Sequence, residues 1–206
     1  MKSLQTYLNS KGASLVVDGI AGKKTFEAMQ IILELRCRDL GYKWFPSNII
    51  ALRMDGDFTD KFTDYAAVIR GGKVVSVIPW TTKAGKFYVS NPLTVGGITG
   101  TGTMKEGQHL NSHKFTTAAN KYKSPYFAQV ATIPVYRDGN KDNKLDKNVV
   151  QFAPSWYAFL LHQMGEGFSI WNWSAGCNGC PRAQWINQVV PYFQNGDVIS
   201  YTIIET

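Results

Sequence analysis

Cysteine, histidine and acidic side chains are scarce in this chain, and long apolar runs are missing. Of 206 residues only Cys37, Cys177 and Cys180 carry thiols. An odd and small set excludes a disulfide scaffold, so reduced thiols in a reducing compartment are the expectation. No apolar run reaches the roughly 18 residues of a membrane span, and the first twenty residues lack the apolar stretch of a secretory signal. Synthesis in the cytoplasm, without a transmembrane segment, is therefore expected. Charged residues amount to 18% against 44% hydrophobic and 13% aromatic, which excludes disordered, collagen-like and coiled-coil classes. The length fits one ordinary domain carrying a small extra module.

Fifteen acids stand against 22 Lys plus Arg, for a net charge of +7. The excess lies mainly between Gly71 and Phe127, where Lys73, Lys83, Lys86, Lys105, Lys114, Lys121 and Lys123 oppose a single acid, Glu106. Such a stretch attracts polyanions: nucleic acid, an acidic membrane surface or an anionic cell wall. It holds no arginine for forked readout of base edges, so specific nucleic-acid recognition is not expected. A general anionic surface fits better, and a merely solubilising basic face fits as well.

The first forty residues read as two helices around a turn. Leu4, Tyr7, Leu8 and Lys11 form one stripe before Gly12, and Phe26, Met29, Leu33, Cys37 and Leu40 continue at spacings of three or four until Gly41. Between them, Asp18-Gly19 and Gly22 break the pattern. Leu4-Gln5, Leu8, Gly12, Val17-Asp18-Gly19-Ile20 and Gly22-Lys23-Lys24-Thr25 together resemble the helical peptidoglycan-binding repeat of cell-wall enzymes, over roughly residues 2–33. In that resemblance the Asp-Gly-Ile turn closes a groove and Thr25 starts the second helix. A plain helical hairpin packed on the main domain is the alternative.

Beyond a connection containing Trp44, Phe45 and Pro46, the pattern becomes β. Residues 63–69 and 73–80 form a hairpin around Gly71-Gly72. Residues 81–125, rich in Gly, Thr, Ser and Asn, read as long loops with short strands. Further strands are expected at 127–136, 156–161 and 198–204, and a helix at 182–193.

The most informative chemistry lies in Leu161-His162 and Trp171-Asn172-Trp173-Ser174-Ala175-Gly176-Cys177. A thiol attacks carbonyls as thiolate, and an imidazole nearby takes its proton. His162 ends an apolar strand, and the small residues before Cys177 let a backbone amide approach a reacting oxygen. This stretch resembles the L,D-transpeptidase catalytic domain, in which His, a spacer, Ser or Thr, any residue, Gly and Cys follow in order. Eleven residues separate His162 from Ser174 here. The Trp-Ser-Ala-Gly-Cys form looks closer to the phage and prophage branch, as do the run from Thr81-Thr82 to Pro92, Gln129, and Val135-Tyr136-Arg137-Asp138. The resemblance spans roughly residues 50–205.

It implies that Cys177 attacks a stem-peptide carbonyl of peptidoglycan and forms a thioester. His162 activates it, Ser174 holds the imidazole or the turn, and amides around Gly176 and Cys177 stabilise the oxyanion. The main branch carries His where Ala175 stands and Arg where Gly179 stands, so Arg182 is the expected substitute for carboxylate recognition. His113 and Trp173 are expected to line the substrate cleft.

Three other patterns invite chemistry. Cys177-x-x-Cys180 has the spacing of a redox pair or half a zinc site, without a βαβ unit or further ligands around it. Asp138, Asn140, Asp142 and Asp146 stand at positions 1, 3, 5 and 9 of an EF-like loop, which makes calcium a candidate cofactor although position 12 is Val149. A solvated turn is the plainer reading. His109 and His113 are four apart, but no zinc-protease Glu accompanies them.

The expectation is an α+β protein: a helical peptidoglycan-binding module at 1–40 and a mostly β, L,D-transpeptidase-like cysteine domain at 48–206. It would act as a monomeric, endolysin-like peptidoglycan hydrolase that meets the wall after release from the cytoplasm. The rivals are a true crosslinking L,D-transpeptidase, a non-catalytic wall-binding virion protein and a lysine-driven nucleic-acid binder.

Overall fold

A computed structural model describes residues 1–118 and 124–206. Lys121 and Lys123 of the lysine-rich stretch lie outside the described residues. The chain opens with helices α1 (Lys2–Ser10) and α2 (Lys23–Asp39). The turn between them is tied down by one side chain. Gln5 donates to Asp18 Oδ1 at 2.8 Å and to the Ile20 carbonyl at 3.1 Å, and accepts from the Gly19 amide at 2.8 Å. The Gln5 bond, joined by one from the Ile20 amide, holds the Asp18 carboxyl below its ordinary pKa. The helix begins at Lys23 with Gly22 as its cap, two residues before Thr25.

Strands β1 (Ser47–Arg53), β2 (Asp64–Arg70) and β3 (Lys73–Trp80) follow. Arg70 pairs with Lys73, so Gly71-Gly72 makes the expected two-residue hairpin turn. Next come α3 (Lys86–Ser90), the small hairpin β4 (Thr94–Val95) and β5 (Ile98–Thr99), then β6 (Thr101–Met104) and β7 (Gly107–Thr116). The remaining elements are β8 (Tyr126–Gln129), β9 (Ile133–Asp138), β10 (Val150–Ala153), β11 (Leu161–Gln163), β12 (Asn178–Cys180), α4 (Arg182–Gln188) and β13 (Val198–Glu205).

Eight strands form the main sheet in the order β12-β11-β8-β7-β13-β1-β2-β3, and β10-β9-β6 form a second sheet. Within the main sheet β1 with β13 and β11 with β12 run parallel. Both faces of the main sheet are buried at β1 and β2, which is why these strands are apolar nearly throughout. Ile49, Ala51, Ala66 and Val68 face a core with Trp80, Phe127, Val135 and Trp185. Ile50, Leu52, Ala67 and Ile69 face the other way, onto Leu4, Leu8, Met29 and Leu33 of the helices. The N-terminal helices therefore share a core with the sheet.

Several expected elements differ. Ser47–Arg53, to which the sequence pattern assigns no element, is a central strand. The segment read as loops contains the ten-residue β7, whose polar composition hides it; its partner strand shifts register between Ile199 and Tyr201, opposite Asn111 at φ 46°. Residues 127–136 divide between β8 and β9 in different sheets. Residues 155–157 form a 3-10 turn ahead of β11, and the helix from Arg182 ends at Gln188 because Pro191 has no amide to continue it.

The shared core predicts that Leu33→Ala, emptying a fully buried site between α2 and the sheet, lowers stability by about 2–5 kcal/mol in chemical denaturation. A loss within 0.5 kcal/mol would show that the helices and the sheet do not depend on each other.

Candidate active site

The parallel register Leu161↔Asn178 and His162↔Gly179 brings the ends of β11 and β12 together. Gly179 is required for this approach, since a Cβ there would fall 1.8 Å from the His162 carbonyl oxygen. Cys177, immediately before β12, thus lies against the residues immediately before β11. The Leu160 amide donates to Cys177 Sγ at 3.5 Å, and the thiol donates to the Ala158 carbonyl at 3.5 Å. An N–H aimed at sulfur favours the thiolate, and it remains in place once the proton has left. Strand rise sets Leu160 and His162 about 7 Å apart along the same strand edge. His162 is fully buried, and its Nδ1 donates to the Gln163 carbonyl at 2.5 Å. A carbonyl only accepts, so the neutral ring keeps its proton on Nδ1 and presents Nε2 as the base.

Ser174 shapes the approach to the thiol. Its hydroxyl donates to the Cys177 carbonyl at 2.6 Å and accepts from the Gly176 amide at 3.1 Å. Of the two roles expected for Ser174, the contacts match the turn, and the Gly176 amide is committed to Ser174 instead of to an oxyanion. Gly176 has φ 135°, and a Cβ would meet Phe159 at 2.6 Å and the Gly102 carbonyl at 2.7 Å, so no other residue fits. On the far side of Cys177, Asn178 donates to the Gly176 carbonyl at 3.3 Å. It accepts from Tyr201 at 2.7 Å, and Tyr201 in turn accepts from Trp80 Nε1 at 2.9 Å. This buried relay ties the cysteine turn to the centre of the core.

Two residues clamp Phe159, between Ala158 and Leu160. Its amide donates to Gln129 Oε1 at 2.9 Å, and its carbonyl accepts from His113 Nε2 at 3.0 Å. His113 was expected to line the cleft; it is fully buried behind it and positions the backbone on which Sγ rests. Burial, outweighing the bond to Phe159, pushes the His113 pKa down to about 3. His109 is lowered too, again by burial first, and bonds the Lys105 carbonyl at 2.9 Å.

Cys177 opens onto two adjoining cavities of about 570 and 70 Å³ that share Leu93, Tyr157, Ala158, Ala175 and Cys177. Tyr88, Leu160, Asn172 and Trp173 complete the larger one, so Trp173 reaches the expected cleft. Arg182 lines neither; its Nε pairs with Glu166 at 3.1 Å, because the α4 start packs on the loop after β11. Arg137, on β9, lines the smaller cavity. The signal for it was strand alternation: Arg137 shares a face with the buried Ile133 and Val135.

The loop after β9 uses its side-chain oxygens on backbone amides. Asp138 accepts from the Asn140 and Asp146 amides, Asn140 from Asp142, Asp142 from Lys144, and Asp146 from Asn148, a chain of turns closed on backbone. Among the described residues no three His, Cys, Asp or Glu side chains lie together as a metal site. Cys180 is buried in the core, where desolvation raises its pKa well above the ordinary thiol value, so its surroundings do not favour thiolate chemistry.

Buried neutral histidine makes stability pH-dependent. The unfolded chain binds the His113 proton near pH 6.5 while the fold resists it down to about 3, so stability is full above 6.5 and falls as pH drops through that window. Urea denaturation of wild type at pH 5 should give about 2 kcal/mol less than at pH 7 from His113 alone, and His113→Gln should remove that increment. An unchanged pH dependence in the variant would contradict it.

No family model matches this chain, and no curated protein matches it. Among solved structures, it is similar to the crystal structure of an L,D-transpeptidase (residues 123–326) from Xylanimonas cellulosilytica. The identity is 14%, with 98% of this chain and 92% of that chain covered and a TM-score of 0.34.

Proposed function

We propose that this protein is a cysteine peptidase of peptidoglycan stem peptides, working through a Cys177 thioester. One observation carries the reading: Cys177 lines a cleft at the junction of two parallel strand ends, and His162, whose tautomer is set by its neighbour's carbonyl, lies on the first of those strands. In the proposed reaction His162 Nε2 takes the thiol proton and the thiolate adds to the peptide carbonyl. The developing oxyanion is held by the backbone N–H of Cys177, and the amine departs with the proton from His162. Water, activated by the same nitrogen, then adds to the thioester and releases Cys177.

The peptidoglycan substrate rests on the motifs around Cys177 and on the Gln5–Asp18 turn of the N-terminal module. The +7 charge fits an anionic wall. Wall binding by residues 1–40, monomeric action and release at the end of a phage infection belong to the same proposal.

Purified sacculi incubated with the protein should yield shortened or uncrosslinked stems by mass analysis, with turbidity loss in permeabilised cells. Cys177→Ala should abolish both, and His162→Gln should reduce the rate at least about 100-fold, the usual contribution of a general base. New crosslinks would replace hydrolysis with transfer. Full activity in Cys177→Ala would leave a binding protein in place of an enzyme.

A further inference from the structure

Arg137 alone carries a charge among the residues lining the two cavities at Cys177. It is 5% exposed, and among the described residues it enters no ion pair. Its Nη2 donates to the Leu93 carbonyl at 2.7 Å and to the Ile98 carbonyl at 3.2 Å, while Nε has no hydrogen-bond partner among the described residues. A buried cation that loses hydration and gains no counter-charge is costly, and such groups are normally paired. The surrounding structure nevertheless makes room for it. Its cross-strand neighbour is Gly102, where a Cβ would stand 3.1 Å from Nη1 and 2.8 Å from the Phe159 ring. The 70 Å³ cavity in front holds the volume of about two waters, close to that of one carboxylate.

We propose that Arg137 is an anion subsite that receives a carboxylate of the substrate next to the carbonyl attacked by Cys177. The two carbonyl bonds on Nη2 brace the guanidinium plane from behind, which leaves the N–H groups of Nη1 and Nε to meet a carboxylate through single charge-assisted hydrogen bonds. The missing counter-charge arrives with the substrate. Because that charge is met by a guanidinium that is 5% exposed, it selects acidic acyl donors over amidated ones more strongly than a surface arginine would. The assignment rests on Cys177 being the nucleophile of the proposed peptidase, but anion binding is measurable without any peptide turnover.

Alkylation of Cys177, followed by mass spectrometry, compares iodoacetate with the neutral iodoacetamide. An imidazolium at His162 also draws in an anion, so the deciding number is the change on Arg137→Gln with His162 intact. The iodoacetate-to-iodoacetamide rate ratio should fall about tenfold, the share of one charge-assisted hydrogen bond, while Arg38→Gln, an equal charge change on α2, leaves it unaltered. A second measurement needs no variant: acetate should slow labelling by iodoacetate in wild type more than chloride of the same ionic strength. A ratio unmoved by Arg137→Gln, or acetate acting no more strongly than chloride, would overturn the subsite even if peptide hydrolysis by Cys177 is established. Conversely, a clear subsite with no peptide cleaved would remove the peptidase reading alone. Stem peptides amidated at the terminal or at a side-chain carboxyl then tell which of the two carboxylates Arg137 holds, through a kcat/KM penalty that disappears in Arg137→Gln.

Discussion

The parallel ladder between Leu161–Gln163 and Asn178–Cys180 is the constraint on which the candidate site depends. Two parallel strands cannot be joined by a tight turn, so the chain must travel back past the sheet before the second strand starts. That return, residues 164–177, supplies Asn172, Trp173 and Ala175 to the cleft and ends at Cys177. One topological requirement therefore builds both the nucleophile's seat and part of the wall facing it. The absence of a side chain at Gly179 is what lets the strands close to that distance.

Rigidity around the thiol comes from buried polar side chains of remote segments. Gln129 and His113 hold the two polar groups of Phe159, and Trp80, Tyr201 and Asn178 form a chain that stops at the Gly176 carbonyl. Each of these groups would be expensive to bury unpaired; Gln129, His113 and Asn178 are paired to backbone atoms of Phe159 and Gly176, and Trp80 and Tyr201 reach the same turn through Asn178. Conformational precision at Cys177 is thus linked to stability of the core. Arg137 stands apart from this pattern as a buried group with capacity left over.

The helical hairpin has two jobs to reconcile. Leu4, Leu8, Met29 and Leu33 cover a sheet face that would otherwise be exposed, while Val16 and Ile20 of the turn stay at the surface. The Gln5 side chain keeps that turn in one shape without using the core. A surface built on the turn can therefore remain constant while the inward stripe serves the sheet.

Local chemistry was legible from the chain itself. Helical period, the Gly71-Gly72 hairpin and the small residues of the cysteine turn follow from side-chain size, spacing and backbone preference, which act over a few residues. In the Asp138–Asp146 run, spacing alone does not distinguish oxygens that bind a cation from oxygens that satisfy neighbouring amides. Strand β7 was hidden for a related reason: its polar residues find partners only across the sheet. The surroundings of His113, Arg182 and Arg137 were decided by tertiary structure. Whether a charged or polar side chain faces a cleft, a carboxylate or a distant carbonyl depends on contacts between segments far apart in sequence, such as His113 with Phe159 and Arg137 with Leu93. The sequence determined which groups were available for chemistry; packing determined which of them reached the thiol.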